Sequence, residues 1–210
     1  MAYENSARSA PSVVDRLNQT LRRGPIWPLY IILSLPIPYF FYLGLTGGLG
    51  PEPINALERE YGALGLKLLI AGLAITPLRR FAGLNLIRFR RAIGVMTFVY
   101  ILSHFLVWAF LDIQTLDRVW SDILKRPYIT IGMAGFLCLI PLAATSNNWS
   151  VRRLGPRWRK LHKLTYAAVI LGGVHYIWLV KGIQLEPLIY MAVILGLLAL
   201  RIPGRRKKSG

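Results

Sequence analysis

The chain has one cysteine, three histidines and nine acidic residues among 210, and each scarcity closes a class of function. Cys138 alone cannot form an internal disulfide, nor build the multi-cysteine sets that hold zinc or an iron–sulfur cluster. No CxxCH stretch occurs, so covalent c-type haem attachment is not encoded. The acids are too few to balance 26 lysines and arginines, and the net charge is +17. Short alternating or amphipathic segments, the material of a soluble core, are also scarce.

Long apolar runs separated by arginine and lysine clusters take their place, and hydrophobic residues make up 54% of the chain. A hydrocarbon layer about 30 Å thick needs roughly 20 helical residues to cross it. Six such spans are expected, near 27–46, 61–78, 92–111, 128–145, 162–180 and 187–203. They leave no room for a soluble catalytic domain. The expected architecture is an all-α integral membrane protein with a six-helix bundle over 26–203, an N-terminal arm over 1–25 and a basic tail over 204–210. The arm does not read as a signal peptide, because its first apolar run starts only near Ile26. Pro36 and Pro38 should bend the first span, and Pro141 the end of the fourth.

Charge sets the orientation. One side of the bundle collects Arg8, Arg16, Arg22, Arg23, Arg79, Arg80, Arg88, Arg90 and Arg91. It also takes the basic residues from Arg152 to Lys163, then Arg201 and the tail. The other side has only Arg59, Arg118, Lys125, Arg126 and Lys181, with Lys67 inside the second span. This bias places both termini in the cytosol. Charge repeated at alternate membrane turns is a topology signal, so nucleic-acid binding is not expected despite the excess.

Two of the three histidines lie deep in spans. His104 is 13 residues beyond Arg91 and His175 is 12 beyond Lys163, roughly 20 and 18 Å along helices running in the same direction. A lone histidine on an interior face can simply fill space and donate one hydrogen bond. Two at matched depth, with no carboxylate in either span, favour a shared ligand. Neutral imidazole nitrogens suit iron, and a flat macrocycle held between two helices by axial histidines fits the spacing. Gly172, three before His175, shares its face and thins the fifth helix for such a ring. Thr97, Tyr100 and Ile101 fall on the His104 side, either lining the ring or packing against neighbours.

His162 stands 13 residues before His175 and about 140° around the helix axis, so the two cannot bind one iron. It has four open roles: a second cofactor, a quinone contact, a part in the cytosolic entry route, or an interfacial histidine. Arg90 and Arg91 can pair with cofactor carboxylates through their rigid donor forks. Arg79 and Arg80 can hold a flavin phosphate, although topology alone accounts for them.

The stretches LSHFLVWAF, RFRRAIG and RKLHKLTYAAVILGGVHYIWL resemble the ferric-reductase-like transmembrane family. Within it they resemble the haem-binding membrane subunits of bacterial periplasmic methionine sulfoxide reductase systems. The likeness runs over most of 25–200. It implies that His104 and His175 are the haem b pair and His162 an additional haem-associated histidine. It also implies FMN, electrons drawn from the quinone pool of the bacterial inner membrane, and a periplasmic molybdenum-containing catalytic partner that reduces oxidised methionines. A full second bis-histidine set, present in other branches of the family, is not supplied here. Rival readings are a membrane scaffold without a redox centre and a transporter. The first predicts no bound haem, and the second a polar path, for which the spans offer few embedded charges beyond Lys67 and the histidines.

Overall fold

Proline and charge set the helix ends in the computed structural model, which describes residues 12–180 and 182–201. Residues 1–11 of the arm, Lys181 and the 204–210 tail lie outside the described residues. Helix α1 (Val13–Arg23) opens on a capping box, in which Ser12 and Asp15 satisfy each other's backbone amides. The first apolar run folds as α2 (Trp27–Ser34) and α3 (Pro36–Leu45), interrupted at Leu35. Pro36 and Pro38 remove two helical donors there, as expected of the bend. Two tyrosines from neighbouring helices tie the bent segment down. Tyr100 donates to the Leu33 carbonyl at 2.7 Å and Tyr61 to the Ile37 carbonyl at 2.7 Å.

Helix α4 (Pro53–Phe81) is 29 residues long, about 44 Å at helical rise. It starts eight residues before the expected 61. Glu58, Arg59 and Glu60 make that stretch read as a loop, but Leu57 and Tyr61 are buried there and carry the helix outward. Helix α5 (Arg90–Leu106) follows a 3-10 turn at Ile87–Phe89 and continues as a π-turn over Val107–Asp112. An amphipathic helix, α6 (Leu116–Lys125), leads to α7 (Pro127–Ala144). Short α8 (Asn148–Leu154) and α9 (Pro156–Leu161) meet at Gly155, whose φ of 50° suits glycine. Helices α10 (Leu164–Leu179) and α11 (Leu185–Ala199) close the fold.

Among the described residues, four segments are long and apolar enough to cross a membrane: Trp27–Leu45, Pro53–Phe81, Ile87–Asp112 and Pro127–Ala144. The expected fifth and sixth spans appear as helices of 16 and 15 residues. The fifth is shortened because the chain turns at His162 and Lys163 before α10 begins.

Helix α4 packs along α5, and α7 along α10. The main core joins Leu66, Leu69 and Leu73 of α4 to Leu139 and Leu142 of α7, Ala168 and Val169 of α10, and Ile194 of α11. A second cluster holds Leu57, Tyr61, Met96, Tyr100 and Val107 between α4 and α5. Many large apolar side chains remain on the outside, among them Ile32, Tyr42 and Leu195. That is the surface expected where lipid, not water, is the solvent.

Candidate functional site

His104 lies in the last turn of α5, and its Nδ1 is 2.9 Å from the Glu58 carbonyl of α4. His175 lies on α10, and its Nδ1 is 2.7 Å from the Tyr128 carbonyl of α7. A carbonyl only accepts, so each Nδ1 carries the hydrogen and each Nε2 keeps the lone pair of a neutral ring.

Both carbonyls are reached in the same way. In a helix the Cβ of residue i+4 leans back over the turn that holds the carbonyl of residue i. Gly62 stands four after Glu58, and Gly132 four after Tyr128. A Cβ at Gly62 would sit 3.0 Å from the His104 Nδ1, and one at Gly132 only 2.7 Å from the His175 Nδ1. Bare glycines therefore let each imidazole approach a helix backbone and lock to it. The arrangement occurs twice, once between α4 and α5 and once between α7 and α10.

The two ring centres are 6.3 Å apart and the ring planes cross at 76°. Imidazoles sharing one metal at about 2.0–2.1 Å per bond, each centre about 1.1 Å behind its nitrogen, lie roughly 6.2–6.4 Å apart. The pair thus has the separation of two axial ligands. Among the described residues, no group of three or more His, Cys, Asp or Glu side chains is placed to hold a metal ion. A metal gripped by these two nitrogens needs its remaining ligands from a macrocycle, so the donor set fits haem.

Gly172 lies against Leu66, whose Cδ1 would be 3.5 Å from a Cβ, an ordinary contact. Gly173 is the tighter position, because a Cβ there would meet the Met191 Cε of α11 at 2.7 Å. Tyr100 turns away to the Leu33 carbonyl, and Ile101 packs against Gly65.

His162 belongs to a different set. It follows α9, stacks on Trp158 with centres 3.8 Å apart, and places Nε2 3.0 Å from the Thr145 hydroxyl. That hydroxyl donates to the Pro141 carbonyl at 2.6 Å, so it accepts from His162 and Nε2 carries a hydrogen. Nδ1 is then the nitrogen with the free lone pair. Burial and then the nearby Arg90 guanidinium hold this histidine below its usual pKa.

His162 lines a cavity of about 610 Å³ at the basic end of the bundle, with Arg88, Arg90, Arg91, Arg159 and Lys163. No acid lines it. Arg91 is tied to the Asn148 side chain at 2.8 Å, and Arg88 to the carbonyls of Leu21 and Arg22 that end α1. Trp158, Thr97 and Tyr166 add further wall. Volume and charge suit a conjugated ring carrying carboxylates or phosphate. Arg79 and Arg80 do not line this cavity; Arg80 lies over Phe81 and toward the Leu200 carbonyl.

The sequence singles out the histidines, Arg90 and Arg91 as candidates, but not Gly62, Gly132 or Thr145, and Trp158 only as an interface anchor. The glycines carried a faint signal as small residues within apolar spans. The Glu58 and Tyr128 carbonyls carried none, since backbone groups have no letter in a sequence.

Residues 61–173 match the model of the ferric reductase like transmembrane component. The chain is 46% identical over 197 residues to the protein-methionine-sulfoxide reductase heme-binding subunit MsrQ of Agrobacterium fabrum. That alignment covers 93% of this chain and 90% of the relative. It is 45% identical to the MsrQ of Rhizobium meliloti, over 95% of this chain and 91% of that one. To the MsrQ of Brucella anthropi it is 43% identical, over 88% and 85%. No solved structure matches the chain significantly. The paired histidines and their glycines lie within or beside the matched segment, and the chain belongs to the ferric-reductase-like transmembrane family and, within it, to the MsrQ group.

Proposed function

We propose that this chain is a membrane electron-transfer subunit of a protein-methionine-sulfoxide reductase, with His104 and His175 as the axial ligands of haem b. One observation carries the reading: two neutral imidazoles from separate helices, each held at Nδ1 by a helix carbonyl, have centres 6.3 Å apart. Bound between them, haem b supplies reversible one-electron chemistry. With a nitrogen for each axial position, the residues favour electron relay over oxygen binding. The Glu58 and Tyr128 carbonyls fix the ring orientation and strengthen each imidazole as a ligand. Gly172 and Gly173 keep α10 slim beside His175. The identity of the relatives, heme-binding subunits of a methionine sulfoxide reductase, supports the assignment.

In this reading the bundle spans the bacterial inner membrane six times, through the α2–α3 segment, α4, α5, α7, α10 and α11. The arm 1–25 and the tail 204–210 are cytosolic, following the arginine and lysine bias. The basic cavity then faces the cytosolic half. It takes a second anionic carrier, either another haem or FMN, with Arg90 and Arg91 on its carboxylates or phosphate and His162 and Trp158 as its wall. The quinone pool supplies electrons, and a periplasmic molybdenum-containing subunit receives them and reduces the methionine sulfoxide. Carriers on both halves are needed because His104 and His175 lie in the outward half.

The test is a reduced-minus-oxidised spectrum of the purified protein. A b-type signal is expected from the wild type, reduced in His104→Ala and in His175→Ala. Full signal in both variants would reject the ligand pair.

A further inference from the structure

Pro77 lies inside α4 and has no N–H, so the Leu73 carbonyl four residues earlier loses its helical donor. Leu73 is 0% exposed, and an unpaired carbonyl there carries the full cost of desolvation. The missing donor comes from far along the chain. Arg201, just past α11, directs both Nε and Nη2 at that carbonyl, Nε at 3.1 Å. Its Nη1 donates to the Tyr166 hydroxyl of α10, also at 3.1 Å. One guanidinium thus ties α11 to α4 and α10.

The consequence for Tyr166 follows from the donor inventory. A guanidinium has five N–H groups and no acceptor, so the tyrosine oxygen accepts and its own hydrogen must point elsewhere. Among the described residues, no protein acceptor takes that hydrogen. Tyr166 lines the basic cavity, beside cationic side chains and beside His162, whose Nε2–H is held by the Thr145 hydroxyl.

We propose that Tyr166 is a neutral hydrogen-bond donor to the conjugated anionic carrier in the cavity. Arg201 is the positioning residue that aims it, anchored on the carbonyl that Pro77 leaves free. This rests on the reading that the cavity holds a carrier. A donor to a ring system stabilises its electron-rich, reduced form, so the Tyr166 hydroxyl raises the carrier's midpoint potential.

The experiment uses the full chain in lipid nanodiscs with two probes, the haem b that co-purifies and added FMN. The cavity carrier is the chromophore retained when His104→Ala and His175→Ala are combined. Loss of haem together with failure to bind FMN overturns the cavity reading itself, and this role with it. With a carrier present, Tyr166→Phe is expected to keep its occupancy and lower its midpoint potential; an unchanged potential overturns the donor role. Arg201→Gln is expected to lower both the potential and the melting temperature. Adding Pro77→Ala to Arg201→Gln returns an N–H to the Leu73 carbonyl, so the melting temperature should recover while the potential stays low. If the potential recovers as well, Arg201 is a structural tie only and its positioning role is overturned.

Discussion

Replacing Gly132 by alanine tests whether a bare backbone behind His175 is needed for haem to stay. The added Cβ would stand 2.7 Å from Nδ1, 2.9 Å from Cε1 and 3.2 Å from Cγ of the imidazole. To move Nδ1 from 2.7 Å to the 3.4 Å where ordinary contact begins, the ring must retreat about 0.7 Å from α7. The Tyr128 carbonyl is on the same helix, so its 2.7 Å bond to Nδ1 stretches toward about 3.4 Å, beyond normal hydrogen-bond range. Overpacking costs about 1–3 kcal/mol, and the lost bond about 0.5–1.5 kcal/mol. Loss of an outer partner of a metal ligand typically weakens metal affinity by about 10–100-fold, in keeping with those costs. The assay is haem transfer from the protein in nanodiscs to excess apomyoglobin, and the release rate should rise by about 10–100-fold. Gly62→Ala is the milder companion, because its Cβ would stand 3.0 Å from the His104 Nδ1. Gly172→Ala, whose nearest neighbour is Leu66 Cδ1 at 3.5 Å, should change little. A Gly132→Ala protein that holds haem as the wild type does, or that loses it more slowly than Gly62→Ala, would refute the reasoning.

Tyr100→Phe removes the 2.7 Å tie to the Leu33 carbonyl and should destabilise the fold by about 0.5–1.5 kcal/mol, read as a lower melting temperature. Haem content should be nearly unchanged, since this tyrosine faces the bent α2–α3 segment. Thr145→Val takes away the hydroxyl that receives the His162 Nε2–H, freeing the ring to rotate about its stack on Trp158. The spectrum of the carrier in the basic cavity should shift, while that of the His104–His175 haem should not. His162 also gives a pH dependence. Its pKa is lowered in the fold, so the unfolded chain binds more protons than the fold as pH falls through the ordinary histidine range. Its stabilising share is present above about pH 6.5 and is lost as pH falls further. His162→Gln should therefore flatten the melting-temperature profile between pH 7.5 and 5.5; an unchanged profile would assign the dependence to other groups.

Helix content and the deep histidines were legible because they depend on runs and spacing, which a sequence displays directly. Arg91 to His104 and Lys163 to His175 are nearly equal steps on helices of one direction, and their rings meet. The start of α4 was not legible, because Glu58, Arg59 and Glu60 suggested water, whereas Tyr61 and Leu57 bury the adjoining face. Nor was the turn before α10. HKLTYAAVILGG reads as continuous helix, yet His162 and Lys163 form the turn that frees the imidazole to stack on Trp158. Arg201 shows the sharpest limit. As one basic residue beside a basic tail it looked like a topology marker, but its partner is a carbonyl stripped of its donor by a proline 124 positions away. Only the packed chain brings those two together.

The two ends of the bundle solve the same problem with opposite means. At the His104–His175 pair, each Nδ1 is satisfied by helix backbone. The Glu58 and Tyr128 carbonyls take the imidazole hydrogens, so a metal bound there would rest on the other ring nitrogens. At the basic end, Arg88, Arg90, Arg91, Arg159 and Lys163 surround a cavity with no acid among the described residues of its lining, a setting that favours an anion. Neutral imidazole ligands and cations around an anion influence reduction potential differently. The chain therefore offers two unlike electrostatic environments along one bundle, and a direction of electron flow needs just such a difference between sites.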